Sequence, residues 1–225
     1  MRSLFLLGTA REASTRVKDK MLRPFAGTTL FEIYIEKMKA LWASGGFAGW
    51  GVAIPRSDAR LLRIAEREQV PIIAERPRID PSPQLRNREL YYLAERTETH
   101  VMWVNGCLPM VTVDTLAGMV RKFESETEIM EVEAVYPRRN WFYGDNGKPL
   151  NKHATSTQRT GVVYESVQCA HIFMRDYLLK TGKYFENTPT LYMVKPEEAV
   201  DIDEDQDFEV AEILYRRNNE SIRGS

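Results

Sequence analysis

Thiol and imidazole chemistry have little to draw on in this chain, which holds two cysteines and three histidines in 225 residues. Cys107 and Cys169 form no CxxC pair, so a disulfide framework is excluded and a reducing, cytoplasmic setting is expected. His100, His153 and His171 are scattered, without the paired spacing of a zinc site or a histidine-based triad. Long apolar runs are missing as well. Leu4 to Leu7 and Val101 to Val104 are strand-sized and far short of a membrane span, and the first is too short for the apolar core of a signal peptide. No membrane partner is expected. With 31 basic against 32 acidic side chains there is no bulk charge to attract a nucleic acid. Neither GxxxxGKS/T nor GxGxxG occurs, which excludes the two commonest phosphate-binding loops.

Near the N-terminus an apolar run, Leu4 to Leu7, is followed by a basic polar loop, then Pro24, Gly27 and an amphipathic pattern. That order predicts strand, anion-holding loop and helix. Arg11, Ser14, Thr15, Arg16, Lys18 and Lys20 bring cations and backbone N–H groups to one place, which suits a polyphosphate; the alternative is a solvated basic turn. Leu30, Ile33, Tyr34, Met38 and Leu41 then have helical spacing. A strand over Phe47 to Ile54, a helix over Arg56 to Gln69 and a short strand over Ile72 to Ala74 follow. Strand and helix alternate twice, so parallel strands with ligands at their carboxyl ends are expected.

The proline-rich stretch 75–83 predicts a loop over the same sheet edge, Asn87 to Arg96 a helix, His100 to Val104 a fourth strand and Val113 to Phe123 another helix. Ile129 to Val135 suggests a strand. Residues 137–160 are polar and glycine-bearing, with Asp145-Asn146-Gly147 as a hairpin turn between Trp141 to Tyr143 and Lys148 to Leu150. An excursion of that length suits a lid or an exchange of surface with a second subunit, with a solvated insertion as the alternative. Val162 to Phe173 returns to the core, Met174 to Thr181 is a short helix closed by Gly182, and Thr190 to Val194 is a last strand. Asp201 and Asp203 follow, two apart. In an extended segment they share a face and can hold magnesium together with water and substrate phosphate. Alternatively Asp203, Glu204 and Asp205 cap a final helix over Asp207 to Arg217.

Several of these stretches together resemble the acylneuraminate cytidylyltransferases, the sialic-acid and deoxy-octulosonic-acid activating enzymes. Their first loop has the form ARGGSxRxPGKN, and here Ala10, Arg11, Ser14, Arg16 and Lys20 fall on matching positions. Likeness continues through LRPFAGTTLFE, the Glu75-Arg76-Pro77 triplet, the VNGCLP turn at 104–109 and, most specifically, LLKTGKYFENTPTLYMVKPEEAVDIDEDQDFEVAE. Almost the whole chain is covered. The resemblance implies a Rossmann-like, three-layer α/β nucleotidyltransferase fold of the glycosyltransferase-A type, a mainly parallel sheet, and one domain over residues 1–225. It also implies a homodimer, with 137–160 as the arm over the partner's site.

The implied reaction is attack of an acidic acceptor on the α-phosphorus of CTP, with release of pyrophosphate. Arg11 and Lys20 would act on the triphosphate. Ala10, Ser14, Arg16 and Arg76 would complete the nucleotide side, and Asp201 and Asp203 would hold Mg2+. Asn105, Cys107, Gln158, Arg159 and Gln168 would face the acceptor. Departures from the family pattern are local: Glu12-Ala13 replaces the double glycine, placing a carboxylate beside the triphosphate, Met21 replaces an asparagine, and VNGCLP replaces LQPTSP. The acceptor is thus a 2-keto-3-deoxy sugar acid or, alternatively, a phosphonate or other small acid. A nucleotide-binding protein without transferase activity is the competing class, and a sugar-1-phosphate nucleotidylyltransferase using another nucleotide a third.

Overall fold

The first strand, β1 (Leu4–Thr9), is buried along its apolar length, as a strand covered on both faces must be. The computed structural model describes residues 2–75, 93–186 and 188–223. A loop of residues 10–23 leads into a hairpin of β2 (Pro24–Phe25) and β3 (Thr28–Thr29), then α1 (Leu30–Ala43). Ala26 and Gly27 turn that hairpin with φ of 52° and 91°, a backbone that glycine adopts freely and alanine does not. Next come β4 (Gly49–Pro55), α2 (Ala59–Arg67), β5 (Ile72–Glu75), β6 (His100–Asn105), α3 (Val113–Ser125) and β7 (Val132–Arg138). The chain ends with β8 (Val163–Met174), α4 (Arg175–Thr181), β9 (Thr190–Met193) and α5 (Asp205–Arg223). The expected helix over 87–96 and the 75–83 loop lie outside the described residues, apart from their ends.

Among the described residues seven strands form one sheet in the order β5-β4-β1-β6-β8-β7-β9. Pairs β4–β5, β1–β4, β1–β6 and β7–β9 are parallel, while β8 runs antiparallel to both its neighbours. The expectation of a mainly parallel sheet holds, with β8 as its one reversal. Leu4 and Leu6, with Met102, Val104 and Ile172, face the core shared by α1, α2, α3 and α5. Phe5 and Leu7 face the other side, packed with Val101, Phe173, Leu93 and Leu178 of α4. The layers are thus helices, sheet and a thinner opposite cover.

From β1 the chain steps outward through β4 to β5 on one side, and β6 takes the other side of β1. Adjacent strands whose connections leave in opposite directions open a crevice at their carboxyl ends. Tyr34 stands at the head of that crevice, its hydroxyl donating to the Val104 carbonyl at 2.9 Å and accepting from the Thr9 N–H at 3.0 Å. Gly8 makes room for it, since a Cβ there would lie 2.5 Å from the same oxygen. Burial pushes the Tyr34 phenol far above its ordinary value, which keeps it neutral in this bridging role.

Of the stretch 137–160, residues 137 and 138 belong to β7 and pair with β8, and the chain leaves the sheet from residue 139. Tyr143 bridges Pro149, Gly147 takes a φ of 72°, and the Gly144 N–H donates to Lys148 at 2.8 Å. His153 packs against Trp141 and Tyr143 at ring distances of 5.8 and 4.8 Å, yet Trp141, Tyr143 and Leu150 stay 41, 56 and 70% exposed.

Candidate active site

The loop after β1 is pinned rather than free. Val17 and Met21 are buried in the core, the Ala10 N–H donates to Ala53, and Met21 accepts from the Phe31 N–H. Asp19 takes a φ of 52° and accepts the N–H groups of Leu22 and Arg23 at 2.8 Å, tightening the turn. Lys20 is therefore directed inward, and only 7% of it is exposed. Its ammonium donates to the Ile202 carbonyl and lies 3.8 Å from Asp203. Arg16 pairs with the same Asp203 oxygen at 2.7 Å, and Arg23 reaches Asp205 at 2.5 Å across the Phe208 ring. Ser14 is half-buried, while Arg11 and Lys18 are exposed; none has a hydrogen bond or ion pair among the described residues.

The acidic segment is held just as firmly. Glu198, 1% exposed, accepts from Thr112, Thr115 and the Lys195 N–H at 2.7 to 3.2 Å, tying the segment to the N-terminus of α3. Ile202 is fully buried, and its N–H donates to the Cys107 carbonyl at 3.2 Å. Asp201 and Asp203 flank it and feel each other's charge, as residues two apart on one face should. Burial first, and then Asp203, push the Asp201 carboxyl up to about 6 against the pull of Lys20, and its Oδ1 is buried without a hydrogen-bond partner. An orphaned carboxylate oxygen beside a second carboxylate fits a hard cation. No group of three or more His, Cys, Asp or Glu forms a metal cluster among the described residues, so water and substrate phosphate would fill the remaining positions, as magnesium prefers.

The capping alternative fails for Asp203. The final helix starts at Asp205, two residues earlier than its hydrophobic pattern suggested, and Asp207 reaches back to accept the N–H groups of Asp203 and Glu204 at 3.0 and 2.8 Å. Asp207→Ala should lower stability by about 0.5–2 kcal/mol, and Asp203→Ala by less, because an exposed ion pair is worth about 0–1 kcal/mol. Urea unfolding of both variants compares them; equal losses would restore the cap to Asp203.

Glu12 also departs from expectation. Its carboxylate turns onto the N-terminus of α2, accepting the Arg60 N–H and guanidinium at 2.8 Å and the Leu61 N–H at 3.4 Å. Burial opposes its ionisation, but the hydrogen bonds from Arg60 and the Leu61 N–H outweigh that and hold the carboxyl below its ordinary value. The helix end and Arg60 explain the choice, since both favour an anion.

On the other wall, the Asn105 amide accepts from the Cys107 N–H at 3.0 Å and donates to the Gln168 carbonyl at 3.2 Å. A continuous run therefore links Gln168, Asn105, Cys107, Ile202 and Lys20. Burial pushes the Cys107 thiol up, opposed by Lys20, which places the sulfur beside that ammonium. Gln158 and Arg159 lie exposed on the excursion, with no hydrogen bond or ion pair to this cluster, and Arg76 lies outside the described residues. Sequence reading passed over Glu198, whose long-range cap has no local signature, and Trp103, whose indole donates to Thr9 at 3.0 Å.

No family model matches the chain. It is 26% identical over 113 residues to the post-translational flagellin modification protein B of Campylobacter coli, covering 46% of this chain and 48% of that protein. The chain thus matches about half the length of this curated relative. Among solved structures it is similar to a CMP:2-keto-3-deoxy-manno-octonic acid synthetase in complex with CTP, with a TM-score of 0.68, 13% identity, and coverage of 96% of this chain and 99% of that one. The two chains share one fold. A 4-diphosphocytidyl-2C-methyl-D-erythritol synthase from Anaerococcus prevotii shares it, with a TM-score of 0.67, 11% identity and the same coverage. Among the described residues no helix is long and apolar enough to cross a membrane.

Proposed function

We propose that this protein transfers CMP from CTP to a small acidic acceptor and releases pyrophosphate. One observation carries the reading: Lys20, buried at the switch point of the sheet, joins the cation-bearing loop to the Asp201–Asp203 segment. The structural relative solved with CTP has the same fold and supports the choice of nucleotide.

Arg11, Arg16 and Lys20 would neutralise the triphosphate, with Ala10, Ser14 and Arg76 on the same side, where preorganised charge is the main source of rate. Asp201 and Asp203 would hold magnesium, which when bound withdraws charge from the reacting phosphate oxygens. An acceptor oxygen attacks the α-phosphorus, the new P–O bond forms, and the bond to the bridging oxygen breaks so that pyrophosphate leaves with the electron pair. Asn105, Cys107 and Gln168 would line the acceptor side, and Gln158 and Arg159 would belong to an acceptor site completed by the arm of a second copy.

A 2-keto-3-deoxy sugar acid is the acceptor we favour, with a phosphonate as the alternative, which as an anion needs no proton removed. Binding without transfer was suggested by Glu12 alone, and the seat of Glu12 on α2 removes its motive. Pyrophosphate release with CTP, magnesium and a panel of sugar acids and phosphonates tests the reading. Tight binding of ATP or GTP by calorimetry, with none of CTP, would overturn it.

Exposed Trp141, Tyr143 and Leu150 support a homodimer, because an isolated two-stranded hairpin has too little core to hold such a surface. Light scattering should give twice the 26.0 kDa chain mass. A monomer at every concentration would remove the arm from this account.

A further inference from the structure

Behind the acceptor wall lies a buried ionisable pair that the proposed transfer does not use. His171 of β8 and Glu133 of β7 face each other across the sheet, 2 and 5% exposed, with the imidazole Nδ1 hydrogen-bonded to the carboxylate. The His171 ring packs beside Trp103, at 5.3 Å and 12°, and Tyr184, at 5.2 Å and 29°, which also lie 6.5 Å from each other. Ser166 bonds the other Glu133 oxygen, Gln168 Nε2 lies 2.8 Å from the Ser166 hydroxyl, and Gln168 Oε1 lies 3.3 Å from His171 Nε2.

The donors and acceptors around this ring follow from chemistry. A carboxylate only accepts, so the Ser166 hydroxyl and His171 Nδ1 both donate to Glu133. With its hydrogen committed, the Ser166 oxygen accepts, which requires the N–H end of the Gln168 amide to face it. The oxygen end therefore faces His171 Nε2, 3.3 Å away. The amide orientation is set by the network, and one N–H and one lone pair of Gln168 remain for a ligand. Two features show that this exposed side chain is held on purpose. Gln168 has a φ of 58°, unusual for a residue with a Cβ, and it sits where the β7–β8 register shifts, on a strand also gripped by Asn105. Strained residues at bulges persist where their surroundings over-determine them, and they gather at binding sites.

We infer that Glu133, Ser166 and His171 are positioning residues for the Gln168 carboxamide, and that through it they set the affinity for the acceptor but not for the nucleotide. The inference rests on the transferase reading above. A preset N–H and carbonyl pair matches a carboxyl or a hydroxyl beside a carboxyl, and the neighbouring Trp103 face limits what fits alongside.

Ser166 is the residue to change, because it is exposed and its loss leaves the buried His171–Glu133 pair in contact. With 2-keto-3-deoxy-manno-octonate as the first acceptor probe, and the best acid of the panel where that one is inactive, Ser166→Ala should raise the acceptor KM roughly three- to tenfold. The KM for CTP should be unchanged and kcat should stay within about twofold, because the reacting phosphate is not touched. Ser166→Thr restores the hydroxyl and should restore KM, which a packing role would not do. In 1H–15N spectra the Gln168 side-chain amide should resonate away from free glutamine in the wild type and move towards it in Ser166→Ala. An unchanged acceptor KM in Ser166→Ala, or a wild-type Gln168 amide indistinguishable from free glutamine, overturns the inference. Absence of CMP transfer to any acceptor instead withdraws the reading it rests on, and the amide resonances still decide the positioning claim by themselves.

Discussion

Asp201→Asn should abolish magnesium-dependent pyrophosphate release while making the ligand-free protein more stable at neutral pH. The two effects share one cause. Asp201 ionises in the folded chain only near pH 6, because burial and then Asp203 oppose its charge, whereas in the unfolded chain it ionises near the ordinary 3.8. A carboxyl raised in this way contributes stability that is fully present below pH 3.8 and is lost as pH rises through about 6. At pH 7.5 the ligand-free fold therefore carries an ionised, half-buried carboxylate with an unpartnered oxygen.

Asparagine removes that charge. Allowing for the solvent that still reaches the site, the gain is on the order of 1–2 kcal/mol, and it should vanish below about pH 4. Activity of the wild type should correspondingly fall as pH drops through about 6. Thermal melting at pH 7.5 and 4, with pyrophosphate assays at matched magnesium, reads all of this. Wild-type turnover in Asp201→Asn would defeat the metal assignment, and a lower melting temperature at pH 7.5 would defeat the electrostatic one.

Lys20→Ala is expected to lower turnover by about two orders of magnitude or more, the loss seen when a preorganised charge is removed from a developing anion. Unlike a change in a solvated loop, it should also destabilise the fold, by about 1–3 kcal/mol, because the buried Ile202 carbonyl loses its donor. Arg11→Ala provides the contrast. Arg11 is exposed and unpaired among the described residues, so its removal should reduce turnover without moving the urea midpoint. Turnover at wild-type level in Lys20→Ala would reduce the loop to a solvated basic turn. Full stability with lost turnover would keep the catalytic role and remove the structural one.

Much of this architecture is legible in the sequence, because hydrophobic periodicity is a local property. Leu4 to Leu7 reads as a doubly buried strand, Leu30 to Leu41 as a helix with one apolar stripe, and Asp145-Asn146-Gly147 as a turn, all without knowledge of their neighbours. The spacing of Asp201 and Asp203 likewise needs only the period of an extended chain.

What these groups meet was decided by the tertiary structure. Whether the aspartates cap a helix or face Lys20 depends on a contact spanning 182 residues, and no local pattern distinguishes Asp203 from Asp207 as the cap. The direction of β8 was equally hidden, since alternating burial is the same whichever way a strand runs. Glu12 looked like an intruder beside a phosphate site because α2, whose N-terminus holds it, lies more than forty residues away, at 46 to 49 positions along the chain. Local sequence sets which element forms and which face is apolar; which charge stands opposite which depends on how the sheet order folds distant segments together, and here that order brings residues 16 and 20 to residue 203.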